Sequence, residues 1–434
     1  MAQTYEYVAI CLFGLERLVG EEIEALGYEK TNVMDGRVTF RAGIDAMARA
    51  NLWLRYAERV YLKMGEFPAT DFTQLFDGTE ALPWEDWIGR EDSFPVKGDA
   101  LRSQLFSVPD CQRIVKKAVA RRLERAYGQR WFAETGVKYQ IVFFLFHNVA
   151  TLMIDTSGAP LYKRGYRTET GEAPLRETLA AAMARLSRPR EEVLLWDPLC
   201  GSGTIPIEAA LLMTNTAPGL HRTFACESFG AVSPAVFVQA REEAAAAVKK
   251  TSFEAYASDI DQTMVHMAQE NIARAGMAPY VRAFVKDART IQTGGRRGTI
   301  VTNPPYGERL MTPEQAHALY TELGTQFATL DRWQMYILSA DEDFPHWFHR
   351  RADKIRRVYN GRLRCFLYQY FRNADHVAKF EEQRQTQKRT SSQSHTLRAS
   401  AFDLRVEDKH NNGSGARVRR DHKRPKQAKN KGDA

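Results

Sequence analysis

The chain has 434 residues, of which 44% are hydrophobic, 26% charged and 11% aromatic, the make-up of a folded globular protein too long for a single core and suited to two or three domains. Collagen, coiled coil and a wholly disordered chain are excluded. The net charge is +8, but residues 381–434 hold 14 Lys and Arg against 7 Asp and Glu, so most of the basicity belongs to a tail.

Met1–Leu12 shows no basic leader followed by an apolar core, and no run approaches the ~18 apolar residues of a membrane span. Tyr5–Leu12 is apolar and β-prone, and Leu15, Leu18, Val19, Ile23 and Leu26 then repeat at helical spacing until Gly27. A strand at Arg37–Phe40, a helix at Ile44–Leu54 and a strand at Ala57–Lys63 complete a β-α-β-α-β order, which predicts a ferredoxin-like unit over residues 1–65. A second α+β unit, residues 66–156, follows. It has a helix at Phe72–Trp87, a strand at Ser93–Val96, a long helix from Asp110 to about Tyr127, and strands at Val137–Phe146 and Ala150–Asp155 joined at His147-Asn148-Val149.

The long helix keeps Ile114, Val115, Ala118, Val119 and Leu123 on one face. Arg113, Lys116, Lys117, Arg121, Arg122 and Arg125 crowd the rest with only Glu124 among them. That excess is more than i,i+4 pairing within the helix can use, so the spacing favours a phosphate-contacting face over a merely solvated one.

After a linker at 157–172, Ala173-Pro174-Leu175 opens a helix through Leu186. From Glu192 strands alternate with helices, the rhythm of βαβ units and a parallel sheet. Lys354–Tyr359 and Leu363–Tyr370 flank Asn360-Gly361, a dipeptide suited to a type I′ hairpin, so an antiparallel hairpin is expected to close the sheet and the α/β unit is placed at 173–380. The tail, 381–434, has too few apolar residues to offset its ordering entropy and reads as disordered. It can bind polyanions by counterion release or serve as a solubilising extension. Five dispersed cysteines with no CxxC pair encode neither a disulfide framework nor a zinc ribbon, and fit a reducing cytoplasm.

Four strand ends carry the candidate chemistry. A buried strand feeds Asp197-Pro198-Leu199-Cys200-Gly201-Ser202-Gly203-Thr204, a glycine turn that lets backbone approach a ligand. Without GK[ST] it is no P-loop. Asp259, in Ser258-Asp259-Ile260-Asp261, stands where a carboxylate can accept from ribose hydroxyls. The ~55 residues from Gly203 to Asp259 imply an insertion at roughly Asn215–Ser252. Asp287, in Lys286-Asp287-Ala288, could accept from an adenine amino group. In Asn303-Pro304-Pro305-Tyr306-Gly307 the prolines restrain the backbone, leaving the Asn303 oxygen and a backbone carbonyl as acceptors beside an aromatic ring. Two such acceptors hold an aromatic NH2 with its lone pair aimed outward, and Tyr306 can stack on a base drawn out of its helix.

DPLCGSGT, SDID, KDA and NPPYG in this order resemble the class I S-adenosylmethionine-dependent methyltransferases that modify exocyclic amines. With LYKRGYR, PLRETLA and TAPGLHRTFACESF added, residues 1–375 are similar to THUMP-domain RNA methyltransferases, in particular the bacterial enzymes that make N2-methylguanosine in 23S ribosomal RNA. The resemblance implies an α/β Rossmann-like catalytic domain behind ferredoxin-like and THUMP units, with S-adenosylmethionine as cofactor, RNA as partner and no metal. It also places Asp197, Gly201 and Gly203 at the methionine part of the cofactor, Asp259 at the ribose, Asp287 and Ala288 at the adenine, and Asn303, Pro304, Pro305 and Tyr306 at the target amine. The alternatives are an adenine-N6 methyltransferase of DNA or RNA, a non-catalytic RNA-binding ribosome assembly factor, and a nicotinamide-dependent enzyme. The last leaves Asn303–Tyr306 unexplained.

Overall fold

The computed structural model describes residues 3–167, 175–306, 311–330 and 333–371. The tail at 381–434, Ala173, Pro174 and Gly307 lie outside them.

Seven strands make the first sheet: β1 (Tyr5–Cys11), β2 (Glu29–Met34), β3 (Arg37–Ala42), β4 (Ala57–Pro68), β5 (Val96–Leu101), β6 (Ile141–Phe146) and β7 (Val149–Asp155), in the order β2-β3-β1-β4-β7-β6-β5. The two small α+β units expected from the sequence therefore share one sheet. β4 is 12 residues long, and its first half pairs with β1 while its second half pairs with β7. β2 was not expected: all six of its residues are exposed, so no alternation of apolar and polar residues marks it.

Helix α1 (Glu16–Ala25) buries Leu18, Val19 and Ile23, as the spacing predicts, and Gly27 at φ +83° ends it. α2 (Ala46–Trp53) follows β3. α3 (Phe72–Glu80) ends earlier than expected; Pro83 breaks it, and a 3-10 turn at Trp84–Asp86 takes the remainder. The strand expected at Ser93–Val96 also moves, to β5. α4 (Val108–Tyr127) has a proline in its first turn and left-handed Gly128 at its end, and buries Cys111, Val115, Ala118, Val119 and Leu123. β6 and β7 are joined by His147 and Asn148, both at positive φ, the signature of a two-residue type I′ turn.

The second sheet follows α5 (Glu177–Ser187). Its strands are β8 (Leu194–Asp197), β9 (Ala255–Asp259), β10 (Val281–Val285), β11 (Gly298–Thr302), β12 (Trp333–Ser339), β13 (Lys354–Asn360) and β14 (Leu363–Tyr370), ordered β10-β9-β8-β11-β12-β14-β13. The first five are parallel and β14 runs antiparallel to β12, so the hairpin closes the sheet as expected. Its turn is Gly361-Arg362 rather than Asn360-Gly361. Gly361 alone has positive φ, and Asn360 stays in the strand opposite Leu363. Helices α6 (Thr204–Met213), α7 (Pro234–Ala246), α8 (Gln262–Arg274) and α9 (Pro313–Ala328) connect the parallel strands.

The insertion after α6 fastens the two sheets together. Gly219 N donates to Leu52 O at 2.9 Å and Cys226 N to Thr156 O at 3.0 Å, and the Phe229 ring stacks on Tyr139 at 4.3 Å. Arg222 donates to the carbonyls of Ala159, Pro160 and Lys163. The described residues form one compact unit with a core continuous from Tyr7 and Leu52 through Leu161 and Ile207 to Leu338. Among the described residues no helix is long and apolar enough to cross a membrane.

Candidate active site at the carboxyl edge of the parallel sheet

The strand order reverses direction between β8 and β11, and in such sheets ligands bind in the crevice beyond the carboxyl ends at that point. Asp197 ends β8, Asp259 ends β9, Asp287 lies just past β10, and Asn303 follows β11. The four sequence motifs thus meet along one edge.

The glycine turn is held from below. Cys200 N donates to Ser258 O at 2.9 Å, Gly201 N to Asp259 Oδ2 at 3.0 Å, and the buried Asn271 amide to Ser202 O at 3.0 Å. Gly201 and Gly203 both have positive φ. A Cβ on Gly203 would come within 3.1 Å of Ala268, whereas that of Gly201 would meet nothing. Asp259 Oδ1 also accepts from Asp261 N at 3.1 Å.

Asp197 is 2% exposed and accepts from Thr302 Oγ at 2.6 Å and from Leu199 N at 3.2 Å. Burial pushes its carboxyl up to about 7, opposed by these two bonds and assisted by the charge of Asp259. A folded-state value above the unfolded one means that folding favours the protonated acid. This contribution to stability is therefore fully present below about pH 4 and disappears as pH rises through about 7. Buried Glu177 and the partly buried Glu22 act in the same direction. Asp197→Asn should flatten the fall in unfolding free energy over that interval, by roughly 3–5 kcal/mol. Denaturant titrations across the interval check it, and an unaltered slope would contradict the assignment.

The Asp287 carboxylate accepts from Arg289 N at 2.9 Å and from the Arg289 guanidinium, which also reaches Glu322 at 3.0 Å. This pairing holds Asp287 below the usual carboxylate range. Ala288 is buried beside it.

Asn303 Oδ1 is buried and has no hydrogen-bond partner among the described residues. An acceptor so placed costs about 1–3 kcal/mol unless something donates to it. Pro304 is buried, and the Pro305 carbonyl accepts from the Tyr320 hydroxyl at 3.0 Å. Tyr306 is only partly open. Its hydroxyl faces the β13–β14 hairpin, with Cys365 Sγ at 3.8 Å, and burial raises its pKa so that the phenol stays neutral. Thr302, Asn271 and Tyr320 support the site, and no local motif marks them.

The basic helix looks different in three dimensions. Arg113 pairs with Asp110, Arg121 with Glu124 at 2.9 Å, Lys116 with Glu134 at 2.6 Å, Arg122 in bidentate fashion with Glu85, and Arg125 with Glu80 at 3.1 Å. Lys117 stands off the Phe76 ring at 6.0 Å. The charge excess within the helix is therefore largely answered by carboxylates from neighbouring segments. Lys116 and Arg122 are half-buried in these contacts, whereas Arg113, Lys117, Arg121 and Arg125 are exposed.

Family models match along the chain: an RlmL ferredoxin-like domain at residues 6–61, a THUMP domain at 69–155, and an RMKL-like methyltransferase domain at 164–369. The "Putative RNA methyltransferase YpsC" of Bacillus subtilis (strain 168) is 39% identical over 373 residues, covering 85% of this chain and 96% of that one. The chain belongs to the RMKL-like methyltransferase family. The ribosomal RNA large subunit methyltransferase K/L of Psychromonas ingrahamii is 33% identical over 366 residues, covering 82% of this chain but 49% of that enzyme; the RMKL-like chain spans about half its length. The crystal structure of SMU.472 complexed with SAH superposes with a TM-score of 0.80 at 38% identity, covering 86% of this chain and 99% of that one. The RMKL-like protein thus has the fold of the class I S-adenosylmethionine-dependent methyltransferases, behind ferredoxin-like and THUMP domains.

Proposed function

We propose that this RMKL-like methyltransferase moves a methyl group from S-adenosylmethionine to the exocyclic N2 of a guanine in large-subunit ribosomal RNA, the base being drawn out of its helix. The observation that carries this reading is the orphaned, buried Asn303 Oδ1 at the edge of the sheet. It is an acceptor waiting for a donor, and an aromatic NH2 is one. The Pro305 carbonyl already accepts from Tyr320, and no described group donates to the Pro304 carbonyl, which is taken as the second acceptor. RNA as substrate is supported by the THUMP domain and by the names of the YpsC and K/L relatives.

The residues present fit the cofactor. The open Cβ direction of Gly201 leaves room above the turn, and Asp197, Asp259 and Asp287 offer carboxylates in succession. Asp197 and the glycine turn would face the methionine part, Asp259 the ribose diol, and Asp287 with Ala288 the adenine. Each Asp259 oxygen shows one bond from a backbone N–H and retains a lone pair for a hydroxyl. When bound, S-adenosylmethionine supplies the electrophilic methyl carbon, and the protein contributes placement. Asn303 and Pro304 fix the two amine hydrogens so that the nitrogen lone pair points outward. Such alignment contributes ~7–11 kcal/mol. Once methylated, the nitrogen is acidic enough to give its proton to an acceptor oxygen or water without a strong general base.

Nucleoside mass spectrometry of ribosomal RNA from cells with and without the gene tests this reading. Loss of one N2-methylguanosine is expected; loss of N6-methyladenine, or no loss at all, refutes it. Phosphate contact is assigned to the exposed part of the basic face. Reversing Arg113, Lys117 and Arg121 to glutamate should lower the slope of log K against log salt by ~0.7–0.9 per lost contact. Reversing Lys116 or Arg122 should instead destabilise the fold. An unchanged salt slope would reduce the face to solvated surface.

A further inference from the structure

Two large aromatic residues beside α4 stand in solvent. Trp131 is 77% exposed and Phe106 82%, whereas Trp84, Trp87, Trp196 and Trp333 are buried and Trp53 and Trp347 half-buried. A single surface leucine needs no explanation, but a tryptophan kept out of the core forgoes the largest apolar area a side chain can bury. Trp131 is held out rather than left loose. On one side of it Gln129 Nε2 donates to Arg90 O at 3.0 Å and Arg130 pairs with Glu124 of α4 at 3.5 Å. On the other side the Phe132 ring meets Phe94 edge-on at 5.7 Å, and Glu134 accepts from Phe94 N at 3.1 Å and pairs with Lys116 at 2.6 Å. The tied segment turns Phe132 inward and Trp131 outward. Phe106 is presented in a similar way, between buried Leu105 and Ser107, whose hydroxyl bonds to Asp110 in the first turn of α4.

Along the helix between these rings, the exposed Arg113, Lys117, Arg121 and Arg125 recur every four residues and so form one row. Arg130 joins its far end, because Glu124 pairs with both Arg121 and Arg130. The ion pairs of the row lie at the surface, where such pairs are worth little and phosphate oxygens can take the place of the carboxylates. A line of cations with aromatic faces at its ends has the composition of a surface for a single-stranded polynucleotide: the cations follow the backbone and the rings take unpaired bases.

We propose that Trp131 and Phe106 are base-stacking residues for a single-stranded stretch of RNA whose phosphates lie on the exposed cations of α4. The inference rests on the reading of RNA as substrate and deepens it, because the face then selects strands whose bases are free. Every base has a π face, so the rings accept any sequence, and the choice of nucleotide is left to the amine site. In a duplex the bases are stacked on one another, and only the backbone remains for the cations.

The test titrates the full-length protein with a single-stranded oligoadenylate of about ten nucleotides and with an RNA duplex of the same length, reading tryptophan emission and affinity. Because the other six tryptophans are buried or half-buried, a stacking base reports on Trp131. Emission should be quenched by the single strand and not by the duplex, and Trp131→Phe should abolish the quenching while keeping most of the affinity. Trp131→Ala should weaken the single strand roughly 5- to 150-fold, with the duplex unaffected and the slope of log K against log salt unchanged, since no cation is removed. Phe106→Ala should add its own loss to that of Trp131→Ala, because the helix between them is ~30 Å long and the two sites are independent. Both rings are exposed, so thermal unfolding of the variants should match the wild type, and the basic residues after 380 are common to all of them. Single-strand binding with unchanged emission, or equal losses on single strand and duplex, overturns the stacking and leaves the phosphate assignment standing. Failure to bind either RNA overturns both. Emission that changes when the RNA-free protein is diluted would make Trp131 a contact between copies of the chain and overturn the proposal as well.

Discussion

Asn303→Ala is expected to reduce methyl transfer by roughly 100- to 1,000-fold while leaving the affinity for S-adenosylmethionine nearly intact. The magnitude is that found when one preorganised polar group at a reacting centre is removed. Its separation from cofactor binding follows from position. The carboxamide stands after β11, whereas the turn and carboxylates assigned to the cofactor follow β8, β9 and β10. The variant should also be no less stable than the wild type, because Asn303 Oδ1 is desolvated with no partner among the described residues and its removal relieves a cost of about 1–3 kcal/mol. Calorimetric titration of cofactor, a radiolabelled-methyl assay and thermal unfolding give the three readouts. Turnover at the wild-type rate would remove Asn303 from the reaction.

The second large effect concerns stability. Arg164 and Glu208 are both buried, 3.5 Å apart, and the Tyr166 hydroxyl donates to Glu208 at 3.0 Å. Arg164 also donates to the carbonyls of Leu161 and Arg55, and Arg55 in turn to Thr216 O. The LYKRGYR segment is thus a polar hub where linker, front sheet and the helix after the glycine turn converge. Arg164→Met should cost about 3–5 kcal/mol, because it strands the Glu208 charge away from water. Adding Glu208→Gln should recover much of the loss, which distinguishes a stranded charge from lost packing. Chemical denaturation of the three proteins checks this, and a single variant within about 1 kcal/mol of wild type would contradict it.

What could be read from the sequence was local. The apolar faces of α1 and α4, the alternation of strands and helices after Glu192 and the closing hairpin all leave a period or a turn signal within a few residues. Asn303 as a candidate was legible for the same reason: the residues that suggest its proposed role lie in one tetrapeptide. β2 was not, because a wholly exposed strand has no buried side to write an alternation. The cations of α4 were counted against the carboxylates of their own helix, yet Glu80, Glu85 and Glu134 come from other segments. The contacts of Thr302 and Asn360 escape notice because their partners, Asp197 and Arg176, lie 105 and 184 residues away. The insertion at 215–252 could be located by spacing, but that it binds one sheet to the other is visible only in its contacts with Leu52, Tyr139 and Thr156.

That clasp sets a ruler. With the front sheet and the catalytic sheet fastened by Gly219, Cys226 and Arg222, the span from the exposed cations of α4 to Asn303 has one length. On the proposed reading, in which those cations and Asn303 hold one RNA, the protein offers a fixed reach and the polynucleotide must conform to it.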